Sequence, residues 1–304
     1  MSKDTNVIIV NYNTRELTRQ CLESLRERFG DAIVQLVDNA SRDDSVEMVQ
    51  DEFPEVQCIP LHDNVRFGGA NNIAYRADNS KYVILLNSDT VIEDDSLCKC
   101  IEYLEQNPDV GAVSPRLIGV DDQSQLAQHP FPSLSNIVRV FLRLESDYEK
   151  DIPQENSWLA GTCLVLRREA VDQVGGLFDP DLFMYWEDCD LSTRLFNAGW
   201  KLRVVEDAYI RHYGGASGGG ADSARRTDLH QWYVFGRHHW FRKHKSFAVY
   251  AAVYAMEVLN GFRTIARGIV RKKRRFEIGH ARAAFNVLWL RLTGRKPQMI
   301  GTSS

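Results

Sequence analysis

The sequence predicts an α/β protein with a mostly parallel sheet flanked by helices, followed by a basic helical appendage. Short, continuously apolar segments alternate with amphipathic ones over the first hundred residues. Fully apolar strands between helices are typical of a parallel sheet that is covered on both faces. The chain has 304 residues, of which 44% are hydrophobic and 26% charged. These values indicate one large domain with an appendage and exclude disordered, collagen-like and disulfide-stapled chains.

Strand and helix signals follow one another in a regular order. Strands are predicted over 7–10, 33–37, 56–59, 82–86 and 110–113, with helices through 17–25, from 41, through 71–76 and over 92–106. The pattern weakens over 119–156 and resumes with a strand at 159–166, a helix at 187–198 and a strand at 202–205. A glycine-rich segment, 214–220, precedes helical sequence that continues from 224 to the end.

Charge is distributed unevenly between the two ends of the chain. From Arg237 onward there are 15 Lys and Arg against Glu257 and Glu277, a local charge of +13. The first 236 residues therefore carry −17 of the total of −4. A strongly basic segment indicates an anionic partner. We predict a catalytic domain over 1–223 and a helical, basic segment over 224–304 that associates with a membrane or forms an oligomer.

The six cysteines form no Cys-x-x-Cys pair and no recognisable disulfide framework, so free thiols in a reducing cytoplasm are expected. No signal peptide is expected, because the first residues lead directly into a predicted strand. The most apolar stretch, 247–259, is shorter than the roughly 20 residues that a spanning helix needs.

Polar residues follow the predicted strands at the positions where ligands bind in parallel α/β sheets. They are Asn11, Tyr12, Asn13, Asp38, Asn64, Asn87, Ser88 and Asp89. Asp89 is suited either to holding a divalent cation on a diphosphate or to capping the following helix. Tyr12 and Asp38 are suited to stacking on a nucleobase and accepting its N–H, or are turn residues without a ligand.

An acidic cluster, Glu187, Asp188 and Asp190, follows an aromatic run. Acidic side chains at a helix start are favoured by the helix dipole, which explains the cluster without a function. Apolar neighbours also raise the pKa of a carboxyl group, as a general base requires. His212, just before the glycine-rich segment, is either structural or a further ligand of a metal at Asp89.

Together these segments resemble the family 2 glycosyltransferases, which have the GT-A fold, and most of all bacterial rhamnosyltransferases that act on polyprenyl-diphosphate-linked sugars. The resemblance extends over about residues 5–220. The matching segments are VNYN (10–13), VDNAS (37–41), NVRFGGANN (64–72), LNSD (86–89), WLAGT (158–162), FMYWEDCDL (183–191) and HYGGAS (212–217). Two residues depart from the family pattern. Asn87 stands where the Asp-x-Asp signature has its first acid, and Arg66 stands where glycine is common.

The resemblance implies a role for each candidate residue. Asp38 and Tyr12 would hold the base of a nucleotide sugar, and Asp89 and His212 would bind Mg²⁺ or Mn²⁺ on its diphosphate. Asp188 would be the catalytic base. The other residues expected at the nucleotide sugar are Asn11, Asn13, Asn64, Asn72, Asn87 and Ser88, and those expected at the acceptor are Trp158, Gly161 and Glu187.

The resemblance also implies an inverting, metal-dependent transferase that moves L-rhamnose from dTDP-rhamnose to a hydroxyl of a polyprenyl-diphosphate-linked saccharide. A UDP-sugar donor, a sugar-1-phosphate nucleotidyltransferase and a non-catalytic nucleic-acid binder are the alternatives. We expect a cytoplasmic protein held peripherally at the inner face of the cell membrane by its basic tail, with no nucleic-acid partner. The C-terminal helices are equally suited to forming a homodimer.

Overall fold

The computed structural model describes residues 4–142, 157–182, 184–214, 223–270, 285–290 and 293. The chain forms two compact units. The first consists of residues 1–131, 149–181 and 187–219, and the second of 132–148, 182–186 and 220–304. The second unit thus takes in two short segments that lie before the predicted boundary at residue 223. The division into a catalytic domain and a membrane or oligomerisation segment stays a prediction.

The first unit contains a nine-stranded sheet and a separate two-stranded sheet. The strands are β1 Thr5–Asn11, β2 Ile33–Asp38, β3 Gln57–Pro60, β4 Tyr82–Asn87, β5 Thr90–Val91, β6 Val110–Ile118, β7 Ser124–Gln125, β8 Gln128–Pro130, β9 Ser157–Leu159, β10 Cys163–Arg167 and β11 Lys201–His212. Along the large sheet the order is β3-β2-β1-β4-β10-β6-β11-β5, with β7 beside β6, while β8 pairs with β9. The predicted mixed α/β class is confirmed.

The helices lie between the strands and in the second unit. They are α1 Arg15–Phe29, α2 Ser45–Glu52, α3 Arg66–Ala77, α4 Ser96–Gln106, α5 Leu134–Leu142, α6 Arg168–Gln173, α7 Glu187–Asn197, α8 Ser223–His244 and α9 Phe247–Val270. The expected strand 159–166 is in fact two strands, because β9 belongs to the two-stranded sheet and β10 to the large sheet. β10 runs antiparallel to both β4 and β6, so the sheet is parallel only in parts.

Strands β1 and β4 lie next to each other in the large sheet, and their middle residues are apolar. Val7, Ile8 and Ile9 are completely buried, as are Ile84 and Leu85. A strand covered on both faces has no water to solvate a polar side chain, so polar residues collect at its ends. β1 is parallel to β2 and β4, and all three strands therefore end at the same edge of the sheet.

The second unit has its own apolar cluster, which includes Trp232, Val234, Phe235 and Val287. In the same unit Leu288 is buried, while 63% of Trp289 is exposed. Among the described helices, none combines the length and the hydropathy needed to cross a membrane. All six cysteines are free thiols, as expected.

Candidate active site

Asn11 and Asp38 lie opposite each other at the ends of neighbouring strands and bind each other. Asn11 Nδ2 donates to Asp38 Oδ1 at 2.7 Å, and its Oδ1 accepts from Thr14 and Thr18 hydroxyls at 2.7 and 2.8 Å. Asp38 Oδ2 accepts the Ser41 N–H at 2.8 Å. Asn11 is therefore engaged inside the protein, where it positions Asp38. Its contact with a nucleotide sugar stays a prediction.

Tyr12 and Asn13 form the turn after β1. Tyr12 is partly exposed and Asn13 is exposed. Asn13 has a positive φ of 54°, a region that asparagine tolerates better than most residues. Its N–H donates to Ser41 Oγ at 2.9 Å and its Oδ1 accepts the Arg42 N–H at 2.7 Å. These bonds tie the turn to the segment after β2, so Tyr12 and Asp38 belong to one local frame.

The side chains of Asn64 and Asn72 form hydrogen bonds with backbone groups. Asn64 Oδ1 accepts the Arg66 N–H at 2.9 Å at the start of α3. Asn72 is buried, donates to the Phe178 carbonyl at 2.9 Å and accepts the Phe178 N–H at 3.0 Å. Because Phe178 engages both ends of the Asn72 amide, Asn72 fixes the backbone at Phe178 and is not among the donor contacts that we propose.

The segment after β4 separates into a structural residue and a chemically unsatisfied one. Ser88 is 1% exposed and shares a hydrogen bond with the Thr14 hydroxyl at 3.0 Å, so it belongs to the buried network around Asn11. Its contact with a nucleotide sugar stays a prediction. Asn87 is partly exposed. Asp89 is 3% exposed, and its buried Oδ1 accepts no hydrogen bond from any described residue. A buried carboxylate oxygen without a donor is costly, which indicates a missing partner.

His212 faces this unsatisfied oxygen. Strand β11 pairs with β5 so that His212 lies opposite Thr90, and the His212 Nε2 atom lies 3.4 Å from Asp89 Oδ1. Gln125 binds His212 twice: its Nε2 donates to the His212 carbonyl at 3.2 Å and its Oε1 lies 2.7 Å from Nδ1. Because the amide N–H₂ is directed at the carbonyl, Oε1 must accept from Nδ1–H. In the neutral imidazole, the His212 Nε2 atom is then left as an acceptor.

With a neutral His212, Asp89 Oδ1 and His212 Nε2 are two acceptors that face each other, an arrangement that fits a metal cation. Ligand atoms about 2.1 Å from one ion lie at most about 4.2 Å apart, so the 3.4 Å separation of Asp89 Oδ1 and His212 Nε2 is compatible with a shared ion. A histidine ligand commonly has its other ring nitrogen hydrogen-bonded, as Gln125 does here. The residues therefore fit the predicted metal, and Gln125 is a site residue that the sequence did not indicate.

The acidic cluster reaches the same edge of the sheet through β10. The Asn87 N–H donates to the Thr162 carbonyl at 3.0 Å, and the neighbouring Gly161 N–H donates to Asp188 Oδ2 at 2.9 Å. Asp188 Oδ1 also accepts the Cys189 N–H at 2.8 Å. The adjacent residues Gly161 and Thr162 thus connect the Asp188 side chain to Asn87 at the end of β4, two residues before Asp89. Gly161 holds the predicted base, in addition to any contact with an acceptor.

Burial acts on the protonation of both neighbouring carboxyl groups. Burial raises the pKa of Asp188, while the N–H donors of Gly161 and Cys189 oppose this rise because they stabilise the carboxylate. Glu187 is buried and its Oε2 accepts no hydrogen bond from the described residues. Burial, followed by repulsion from Asp188, raises the pKa of Glu187 well above the ordinary glutamate value. Asp188 is therefore the better candidate for the ionised group of the pair.

Asp190, the third acid of the cluster, has a structural role. It is completely buried and accepts from Arg194 Nε at 2.8 Å. The Arg194 guanidinium also donates to the carbonyls of Val174 at 3.0 Å and Gly176 at 2.7 Å. This pair fixes the turn after α6. The acidic cluster therefore divides, with Glu187 and Asp188 near the site and Asp190 in the core.

Trp158 lies on the two-stranded sheet. It is opposite His129 in the β8–β9 register, and the two rings stack with centroids 4.6 Å apart. Trp158 is partly exposed, and only two residues of chain separate it from Gly161. A role of Trp158 in binding the acceptor stays a prediction. The short connection to Gly161, whose N–H binds Asp188, supports it.

Comparison with known proteins gives a consistent assignment. Residues 6–175 match the model of glycosyl transferase family 2. The N-acetylglucosaminyl-diphospho-decaprenol L-rhamnosyltransferase of Mycobacterium tuberculosis is 30% identical over 239 residues, which cover 69% of this chain and 76% of the relative. The rhamnosyltransferase WbbL of Escherichia coli is 33% identical over 164 residues, covering 48% of this chain and 60% of the relative.

Solved structures show the same fold at low identity. A mannosyltransferase from Pyrobaculum calidifontis, in complex with GDP-Man and Mn²⁺, has a TM-score of 0.56 at 16% identity and covers 96% of this chain and 88% of its own. S. aureus TarS 1-349 has a TM-score of 0.54 at 14% identity, with 97% and 93% covered. The predicted family resemblance and GT-A fold are confirmed. The chain belongs to glycosyl transferase family 2, and it is an inverting glycosyltransferase.

Proposed function

We propose that this protein transfers L-rhamnose from dTDP-rhamnose to a hydroxyl of a polyprenyl-diphosphate-linked saccharide during assembly of a cell-surface polysaccharide. The observation that carries the site assignment is the pair of hydrogen bonds from Asn87 to Thr162 and from Gly161 to Asp188. They connect the candidate base to the end of β4, two residues before the candidate metal ligand Asp89. The substrate class is supported by the names of the Mycobacterium and Escherichia relatives, both of which are rhamnosyltransferases.

Donor binding would use the ends of β1, β2 and β4. Asp38 is held by Asn11 and Ser41 at a fixed position from which it can accept a pyrimidine N–H. Tyr12 is partly exposed beside it and can stack on the base. Asp89 and His212 would hold Mg²⁺ or Mn²⁺. When bound, this ion supplies positive charge that offsets the charge developing on the leaving diphosphate.

Asp188 would act as the base. It removes the proton from an acceptor hydroxyl, whose oxygen forms a bond to the anomeric carbon as the bond from that carbon to the diphosphate breaks. Attack from the face opposite the nucleotide inverts the configuration. The N–H groups of Gly161 and Cys189 orient the carboxylate, and burial keeps its pKa high enough for proton transfer. Glu187 retains a proton and can donate it in a hydrogen bond to the acceptor.

Sugar transfer tests the donor and acceptor together. The purified protein is incubated with Mn²⁺, a detergent-dispersed polyprenyl-diphosphate-linked N-acetylglucosamine, and either dTDP-rhamnose or a UDP-hexose. We expect mass spectrometry to show one added deoxyhexose with dTDP-rhamnose. Addition of a hexose from the UDP-sugar alone would contradict the donor, and an unchanged acceptor with every donor would contradict the proposed substrate class.

Nucleotide titration separates the donor site from the acceptor. Calorimetry with dTDP, UDP and ADP, with and without Mn²⁺ or Mg²⁺, is compared between wild type and Asp89→Ala. We expect metal-dependent binding of dTDP that is lost in the variant, because Asp89 supplies the buried ligand oxygen. Binding of dTDP that is equally tight without metal or without Asp89 would refute the proposed metal site.

The basic tail is proposed to hold the enzyme at the inner, cytoplasmic face of the cell membrane, where a polyprenyl-linked acceptor resides. Each basic residue near an anionic leaflet contributes about 1 kcal/mol, so a fraction of the +13 excess from Arg237 onward is enough for such binding. A homodimer through the C-terminal helices is the competing use of this segment. Nucleic acid is not expected as a partner, and a duplex mobility-shift assay at matched salt checks this.

A further inference from the structure

Helix α9 exposes several apolar side chains and buries the charged side chain of Glu257 together with Val253. Its exposed side carries a continuous series of apolar residues, which we call the α9 stripe. The stripe consists of Phe247, Ala251, Ala255, Leu259, Phe262 and Ala266. Phe247 is 82% exposed, Leu259 56% and Phe262 61%. The spacing of three or four residues places them all on one side of the helix, over about 30 Å at 1.5 Å per residue.

Three polar side chains of α9 make contacts within the second unit. Glu257 is buried and forms an ion pair with Arg237 of α8. The Tyr254 hydroxyl donates to the Leu288 carbonyl at 3.3 Å, and Arg263 donates to the Phe141 carbonyl at 2.6 Å. A helix on a water-facing surface has its polar side chains outward, so α9 is arranged for an apolar environment on its outer side.

Basic residues flank the stripe. Arg242, Lys243 and Lys245 are exposed and immediately precede α9. In the sequence, the five residues that follow α9 are all Lys or Arg, 271–275. An apolar helix face with cationic residues at its borders is the arrangement of helices that lie in the interface of an anionic membrane.

The same charges disfavour a second copy of this chain as the occupant. Two copies that pair along the stripe bring cationic ends together whether the helices run parallel or antiparallel, because both ends of α9 are bordered by basic residues. Like charges in contact oppose association, whereas anionic lipid headgroups neutralise both ends. We therefore infer that the α9 stripe is a membrane-docking surface that inserts its apolar side chains into an anionic lipid leaflet.

This inference deepens the membrane contact in the proposed function, and vesicle flotation tests it without any sugar substrate. The full-length protein is mixed with vesicles of phosphatidylcholine plus phosphatidylglycerol, or of phosphatidylcholine alone. The test variant is Phe247→Ser/Phe262→Ser. Both side chains are mainly exposed, so the variant is expected to fold, which circular dichroism checks. The matched control is Phe196→Ser, which changes an aromatic residue of the first unit that is 42% exposed.

We expect binding to the anionic vesicles only, with a partition coefficient that falls at least about tenfold in the double variant and stays unchanged in the control. Sedimentation without vesicles is expected to show a monomer. Equal binding of wild type and double variant, or equal loss in the control, would overturn the inference. So would a dimer that the double variant dissociates while neither protein binds vesicles. Transfer to a detergent-dispersed acceptor is measured separately, so a failure of docking is distinguishable from a failure of the proposed activity.

Discussion

Replacing Gln125 tests whether the contact with His212 prepares a metal site. In the structure, one amide both accepts from His212 Nδ1 at 2.7 Å and donates to the His212 carbonyl at 3.2 Å. Gln125→Leu removes both bonds at nearly the same side-chain volume. The imidazole then loses the partner that orients its ring and keeps the proton on Nδ1. A part of the population consequently presents Nε2–H to Asp89, a form that cannot bind a cation.

The size of the effect follows from comparable contacts to metal ligands in other proteins. Loss of a group that orients a metal ligand typically costs about 10- to 100-fold in metal affinity. This corresponds to about 1.4 to 2.8 kcal/mol of binding free energy. Gln125→Glu is expected to retain most of the affinity, because a carboxylate still accepts from Nδ1–H and only the weaker, 3.2 Å bond to the carbonyl is lost.

The assay is calorimetric titration with Mn²⁺ in the presence of dTDP, together with ¹⁵N NMR of the His212 ring to report its tautomer. Gln123→Leu is the matched control, since Gln123 lies two residues away on the same hairpin and is exposed. If Gln125→Leu binds Mn²⁺ as tightly as wild type with Nδ1 still protonated, Gln125 does not position His212. If Gln123→Leu weakens binding equally, the hairpin rather than the Gln125 amide is responsible.

Three further substitutions test the candidate base Asp188, its neighbour Glu187 and the backbone at Arg66. Asp188→Asn is expected to lower kcat for sugar transfer by about 10²- to 10⁴-fold while dTDP affinity is retained, and normal turnover would exclude Asp188 as the base. Glu187→Gln is expected to increase the free energy of unfolding near pH 8 but not near pH 4.5. The folded protein holds the Glu187 proton to a higher pH than the unfolded chain, so the stability of the wild type declines from pH 4.5 to pH 8. If urea titrations give the same difference in unfolding free energy between wild type and variant at both pH values, the raised pKa is contradicted. Arg66→Gly is expected to increase the free energy of unfolding, measured by urea titration, by about 1 kcal/mol, because Arg66 has a φ of 66° that glycine adopts without strain. A lower free energy of unfolding would show that the side-chain contacts of Arg66 outweigh this backbone strain.

The sequence predicted the parts of the fold that depend on local patterns. Continuous apolar runs identified β1, β4 and β6, because a strand buried on both faces disfavours polar side chains along its length. β2 was identified although it carries the buried Gln35, whose amide is bonded by Asn6 and Gln57. The same reasoning placed Asp38 and Asp89 at a shared edge of the sheet. It did not show which of the polar side chains are engaged inside the protein, as Asn11, Asn72 and Ser88 are in the structure.

The remaining features depend on contacts between segments that are distant in the sequence. The antiparallel entry of β10, which brings Gly161 and Asp188 to the end of β4, leaves no periodic signal of its own. The pairing of β11 with β5 sets His212 against Asp89, although 122 intervening residues separate them in the sequence. A hydrophobic pattern reports whether a side chain is buried. Which polar atoms meet is determined by strand pairing and packing over the whole domain. The site at Asp89, the Gln125 contact and the exposed apolar face of helix α9 all arise at that level.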